Sequence, residues 1–165
     1  MKKTEKGFTI IEVALVLAIG ALIFLVVFLA VPALQRNQRN DARKRDISNI
    51  VEAIHDYNAN HPTGPFSGGQ VYNASGPVKN DSQNNLLGNY LDNLSSSTDD
   101  VTVEDNSNKL PDTTSTGADT SKITVYKGRK CNGLDGIVQG SGRQAAVVGV
   151  MERSGGYTLY CQDAS

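Results

Sequence analysis

The chain has 165 residues, with 16 Lys and Arg against 17 Asp and Glu, two Cys, no Trp and 6% aromatic residues. A charge this close to neutral gives no global signature of a nucleic-acid binder, and the length fits one modest domain rather than two. A domain with so few aromatics has a limited core and needs a covalent staple or neighbouring subunits.

The chain opens on Lys2-Lys3-Thr4-Glu5-Lys6-Gly7, a short basic leader, followed by Phe8-Thr9-Ile10-Ile11-Glu12-Val13 and an uncharged run to Leu34. The 22 residues 13–34 would make a helix of about 33 Å, enough to cross a hydrocarbon core. Glu12 therefore stands at the edge of a membrane span. A carboxylate buried there costs up to about 2.5–3.5 kcal/mol by insertion scales, less near the interface, and such residues usually face a protein partner. The position asks for a cation. A secretory signal peptide fits poorly, because its apolar region is expected to run about 7–15 residues before a small-residue cleavage site. A plain single-pass anchor accounts for the length but not for Glu12 or the Gly-Phe junction. Lys2, Lys3 and Lys6 against Glu5 hold the N-terminus in the cytoplasm by the positive-inside rule.

The ordered set Lys6-Gly7-Phe8-Thr9-Ile10-Ile11-Glu12-Val13, with the basic leader before it and the spanning run after it, resembles the processing site of type IV pilins and the related pseudopilins. The resemblance implies that a prepilin peptidase cleaves between Gly7 and Phe8 on the cytoplasmic side. It implies that Phe8 is then N-methylated and that the helix packs into a filament core. It also implies a partner for Glu12, the cationic N-terminus of a neighbouring subunit's Phe8. Pilins characteristically carry a Gly and a helix-breaking Pro in this segment, and the stretch between them can extend on assembly; Gly20 and Pro32 are the residues that match. Pro32 has no N–H and its ring clashes with the carbonyl of Phe28, so a kink is expected there.

Beyond the span, Arg36, Arg39, Arg43, Lys44 and Arg45 face only Asp41 and Asp46. This flank is more basic than the leader, and the processing signature rather than charge counting sets the orientation. The expected role of the flank is a solvated helical face with i,i+4 pairs, within reach of anionic lipid or neighbouring subunits. A DNA-binding role is open because assembled copies would multiply the charge. Ile47, Ile50, Val51, Ile54 and Tyr57 follow the stripe of an amphipathic helix, and residues 58–62 end it with Asn, His and Pro. A continuous helix over 8–59 would be about 78 Å long.

Residues 61–119 shift to Gly, Ser, Thr, Asn and Asp, with Pro62, Pro65, Pro77 and Pro111, which predicts loops. Within them, residues 83–94 place Leu86, Leu87, Tyr90, Leu91 and Leu94 on one helical face and predict a short docked helix. Residues 101–104 alternate as a first or edge strand. Residues 123–127, 144–152 and 157–162 are β-favouring runs, separated by a Gly-rich loop and by the turn Arg153-Ser154-Gly155-Gly156, and predict an antiparallel meander. The expected fold class is α+β. A leader (1–7) precedes a long N-terminal helix, transmembrane over 8–34 and amphipathic over 35–60, which packs against a small antiparallel β-sheet head within 61–165. That arrangement resembles the pilin head.

Cys131 and Cys161 read either as a disulfide formed in an oxidising, exported location or as two reduced thiols. As a disulfide closing a loop of about 30 residues they would contribute about 3–4 kcal/mol in the chain-entropy model. Type IV pilins often have such a disulfide-bounded C-terminal region and pseudopilins usually lack it, so the resemblance favours a pilin. Enzymatic constellations are absent. His55 and His61 are six apart, without the i,i+4 spacing that puts two imidazoles on one face, and read as solvent-facing or boundary residues. Gly133-Leu134-Asp135-Gly136 and Gly140-Ser141-Gly142 match neither phosphate-loop pattern. Asp99, Asp100, Glu104 and Asp105 lack the spacing of an EF-hand, and the sequons at Asn73, Asn80 and Asn93 mark accessible loops.

The sequence thus reads as a structural subunit, not an enzyme, with no cofactor or metal. It would be a type IV pilin held in the inner membrane with a cytoplasmic N-terminus, then built by self-association into an extracellular pilus. Its partners would be further copies, the prepilin peptidase, the assembly machinery and, before assembly, membrane lipid. Adhesion, DNA uptake and twitching motility are not distinguished by these residues. The alternatives are a pseudopilin of a type II secretion system and an uncleaved, membrane-anchored extracytoplasmic binding domain.

Overall fold

The computed structural model describes residues 7–62, 66–79, 87–105, 107–114, 117–133 and 136–165. Leader residues Lys2, Lys3, Glu5 and Lys6, residues 83–86 of the predicted short helix, Pro65, Asn80, Leu134 and Asp135 lie outside the described residues. A single helix, α1 (Ile10–Asn60), is assigned without interruption through Gly20 and Pro32. The chain divides into two compact units, residues 1–37 and 38–165, with the boundary inside α1.

In the first unit no described side chain is buried, and the large hydrophobic residues from Phe8 to Leu34 are exposed. This part of α1 is long and apolar enough to cross a membrane. In the second unit α1 shows its 3.6-residue period directly, with Ile47, Ile50, Val51, Ile54 and Tyr57 all buried. Burying each such side chain stabilises the fold by about 1.5–3 kcal/mol before entropy is counted. The helix ends near His61, whose N–H still donates to the carbonyl of Tyr57 (2.9 Å).

The strands follow in order: β1 (Gly69–Asn73), β2 (Gly76–Pro77), β3 (Asp100–Asp105), β4 (Lys122–Lys127), β5 (Arg129–Cys131), β6 (Ile137–Gln139), β7 (Ala145–Arg153) and β8 (Gly156–Ala164). Six of them form one sheet in the order β2-β1-β3-β4-β7-β8, while β5 and β6 pair separately. The meander expected near the C-terminus is present as β4-β7-β8, antiparallel throughout. The protein has an α+β, pilin-like fold, a long N-terminal apolar helix with a six-stranded sheet.

Four details differ from the sequence reading. The sheet is mixed rather than antiparallel, because β3 and β4 run parallel from Asp100↔Lys122 to Asp105↔Lys127. The chain between them, residues 106–121, is long enough for the crossover that parallel pairing requires. β3 is therefore an interior strand between β1 and β4, not an edge. The described part of 83–94 holds only a 3₁₀ turn, Leu87–Asn89. Leu87 and Leu91 are buried as docking residues, and Gly88 lies so close to the carbonyls of Val71 and Val78 that no side chain fits there. Finally, two hairpins, β1–β2 and β5–β6, occupy stretches read as loops.

The sheet is covered on both faces. On one, Val101, Val103, Ile123, Val125, Ala145, Val147 and Met151 share a core with the α1 stripe. On the other, Tyr126, Ala146 and Val148 pack with Leu110, Ile137, Leu159 and the two cysteines. Cys131 and Cys161 are disulfide-bonded, with Cα atoms 5.9 Å apart, which fastens β5 to β8. A strand buried on both faces carries apolar residues in a continuous run rather than in alternation, and β7 does so with Ala145-Ala146-Val147-Val148-Gly149-Val150-Met151. Gly149 interrupts that run because α1 comes close. A Cβ there would stand 2.9 Å from Cδ1 of Ile47. Gly149→Val should lower the unfolding free energy by about 1–3 kcal/mol through overpacking. In a double-mutant cycle by chemical denaturation, Ile47→Ala should be less costly in the Gly149→Val background than alone; additive losses would show that the two residues do not share the site.

Candidate functional site

The N-terminal segment is built by its own helix start. Thr9 precedes α1 and Glu12 is its third residue, the arrangement of a capping box. The Thr9 N–H and hydroxyl donate to Glu12 Oε2 at 3.0 and 2.8 Å, and the Glu12 N–H reaches back to Thr9 Oγ1 at 3.4 Å. Glu12 and Val13 N–H groups also reach the Thr9 carbonyl at 3.1 and 3.3 Å. The carboxylate thus satisfies a donor that a helix start leaves orphaned, and both of its hydrogen bonds fall on one oxygen. Thr9-Ile10-Ile11-Glu12 carries this T-x-x-E signal in plain view, and reading Glu12 only as a charge seeking a cation passed over it. Phe8 beside it is 89% exposed. Gly7 is exposed and precedes the helix; Gly20 and Pro32 lie inside it.

Asp41, Lys44 and Arg45 stand exposed as a solvated face would, but other charges of the flank are drawn into the head. Arg43 is buried at 5% exposure and reaches Glu152 Oε1 at 3.0 Å, while Arg39 holds both carboxylate oxygens from Nε (3.0 Å) and a terminal nitrogen (2.6 Å). Asn40 completes the joint, donating to the Glu152 carbonyl (2.6 Å) and accepting from its N–H (3.0 Å). The Arg39 guanidinium first, and then Arg43, lower the Glu152 carboxyl from an ordinary value of 4.5 to about 2, against the opposing effect of burial. Asp46, 2% exposed, accepts from the Ser95 N–H (2.9 Å), the Ser95 hydroxyl (2.6 Å) and the Thr98 hydroxyl (2.7 Å). At the far end of the helix, Asn58 donates to the Arg143 carbonyl (3.1 Å) and Arg143 donates to that of Asn58. These are joints of the head rather than a reactive centre.

The remaining candidates are also structural. The His61 ring stacks on Tyr57 at 4.3 Å between centroids, and the Tyr90 hydroxyl lies 3.4 Å from its Nδ1. His55 is exposed on α1. Asp100 meets Lys122 at 3.4 Å and accepts from Gln70 (2.9 Å), and Asp105 pairs with Lys127. Burial, with the nearby Glu104 carboxylate, pushes the Tyr126 phenol up to about 12, and its hydroxyl donates to the Lys109 carbonyl (2.6 Å). Among the described residues no group of three His, Cys, Asp or Glu is placed to hold a metal ion.

Against this geometry, residues 2–28 match the prokaryotic N-terminal methylation motif. The chain therefore carries the class III signal peptide of type IV pilins and pseudopilins, which implies processing by a prepilin peptidase and assembly into pilus-like filaments. The motif points to a structural protein, and with the apolar part of α1 it fits anchoring in a membrane before assembly. No curated protein and no solved structure matches the chain.

A carboxyl held lower in the folded state than in the unfolded one stabilises the fold above its unfolded value and ceases to do so as pH falls through its folded value. Glu152 should therefore contribute fully above about pH 4.5 and lose its contribution between there and about pH 2. Glu152→Gln leaves Arg43 buried without its anion, at a cost of about 2–3 kcal/mol near neutral pH. Thermal melts of both proteins across pH should show the gap between them narrowing within that window and nowhere above it.

Proposed function

We propose that the chain is a subunit of a type IV pilus, cleaved between Gly7 and Phe8 and assembled through its N-terminal helix into an extracellular filament. One observation carries the reading: the methylation motif runs directly into an apolar helix whose large side chains, from Phe8 to Leu34, have nothing to pack on within the described chain. In the membrane those side chains meet lipid; in a fibre they meet copies of themselves. The leader (1–7) is lost, residues 8–34 form the filament core, 35–60 continue the helix into the head, and 61–165 supply the rest of the head. Gly20 and Pro32 are the proposed soft points at which the core helix extends on assembly.

In this reading Glu12 has two partners in succession. Its Oε2 caps its own helix through Thr9, and its carboxylate attracts the N-methylated amine of Phe8 in an adjacent copy. Inside an apolar core such a pairing is strengthened, and leaving either charge alone is costly. The Cys131–Cys161 bond favours a pilin over a pseudopilin of a secretion system. Insertion begins with a cytoplasmic N-terminus, which the prepilin peptidase requires.

Intact-mass and N-terminal analysis of the protein from its native envelope should find a mature chain that starts at an N-methylated Phe8. A mature chain starting at Met1, or beyond Leu34, would overturn the reading. In cells without a wild-type copy, Glu12→Ala should remain cleaved and membrane-inserted while filament yield falls below detection by electron microscopy. Normal yield would remove Glu12 from the assembly contact.

A further inference from the structure

The part of the head that follows the span is basic, whereas the remainder is acidic. Residues 38–46 with Glu152 and Arg153 carry five Lys and Arg against three Asp and Glu, a formal +2, while the other residues of 47–165 carry seven against twelve, a formal −5. Folding leaves the positive charge on the outside. Arg43 and Asp46 are buried, and Glu152 is shared by Arg39 and Arg43, but Lys44, Arg45 and Arg153 are exposed. Lys44 lies over the Tyr160 ring, 5.6 Å from its centroid. Arg45 and Arg153 have no hydrogen-bond or ion-pair partner among the described residues. Arg153 is brought to this end by its neighbour Glu152, which Arg39 and Asn40 hold.

We propose that Lys44, Arg45 and Arg153 form a surface for the anionic headgroups of phospholipid. The proposal rests on the membrane stage of the function given above. Lys44 and Arg45 follow Leu34 by ten and eleven residues, about 15 and 16.5 Å at helical rise, and any tilt only lowers that rise along the bilayer normal. A headgroup layer is about 5–8 Å thick on each side of the hydrocarbon, and charges are felt over a screening length of about 8 Å at physiological salt. Long Lys and Arg side chains extend toward such a surface while their stems stay on the protein. Clustered basic residues beside a span recognise anionic lipid through these forces, and the same lipid repels the acidic remainder of the head.

The test reconstitutes the full mature chain in phosphatidylcholine nanodiscs holding trace spin-labelled phosphatidylglycerol or phosphatidylcholine, and reads the immobilised fraction of each label. The wild type should prefer phosphatidylglycerol several-fold, and the preference should approach unity in 1 M NaCl, where the screening length is about 3 Å. The triple variant Lys44→Gln, Arg45→Gln, Arg153→Gln should lose at least half of the preference while keeping the disulfide and the melting curve. The control Lys79→Gln, Lys109→Gln, Lys130→Gln removes as many charges elsewhere and should keep it. An inserted wild type with no preference, or equal preference in the first triple variant, overturns the proposal. Salt-sensitive binding of labelled duplex DNA through the same three residues, without lipid preference, also overturns it and assigns the surface to nucleic acid. A chain that does not insert overturns the membrane reading itself, and this proposal with it.

Discussion

The fastening of α1 to β7 at both ends is the constraint on which the rest of the head depends. Asn40, with Arg39 and Arg43, holds Glu152 at one end, and Asn58 and Arg143 hold each other at the other. From Asn40 to Asn58 the helix rises about 27 Å, and from Ala145 to Glu152 the strand advances about 23 Å, with Arg143 in the turn just ahead of it. The lengths are close enough that both joints close at once, with helix and strand running in opposite senses. Between them the apolar stripe of α1 is held in one register. A slip along the helix would carry Ile47 away from the only Gly of β7, where the close approach is possible.

The opposite face of the sheet is closed by other means. There the β5–β6 hairpin and Leu110 lie over Tyr126, Ala146 and Val148, and the disulfide ties the hairpin to β8. The helix-side face holds most of the core, and the smaller layer on the opposite face adds to it. β7 lies at the intersection, which explains why its sequence is apolar without alternation. The polar joints then decide where the layers sit, because Asp46 also draws the loop around Ser95 and Thr98 against the helix.

What the sequence disclosed and what it withheld follow from the range of the interactions. The stripe from Ile47 to Tyr57, the three C-terminal strands and the processing motif are local patterns, and each appears where local periodicity placed it. Arg43 and Asp46 looked like solvent-facing charges because their partners, Glu152, Ser95 and Thr98, lie 49 to 109 residues away along the chain. Parallel pairing of β3 with β4 is equally non-local. β2 was hidden for another reason, since a strand of two residues that includes Pro77 has no period to read. Thr9 and Glu12 are the instructive case among the candidate site residues. Their pairing is local and was legible as a capping box, yet the cost of a carboxylate at a membrane edge drew attention to its charge alone.

The joint between Asn40 and the Glu152 backbone spans 112 residues of chain, and this has a consequence for how the protein reaches its fold. Contacts this far apart in sequence carry a loop-closure cost that local structure does not, and topologies rich in them fold slowly. During synthesis from the N-terminus, the amphipathic half of α1 emerges well before the strand that covers it. For that interval Ile47, Ile50 and Ile54 face water or another molecule. The helix that is made first is thus the last to be sheltered, and until β7 arrives its apolar stripe needs a transient cover.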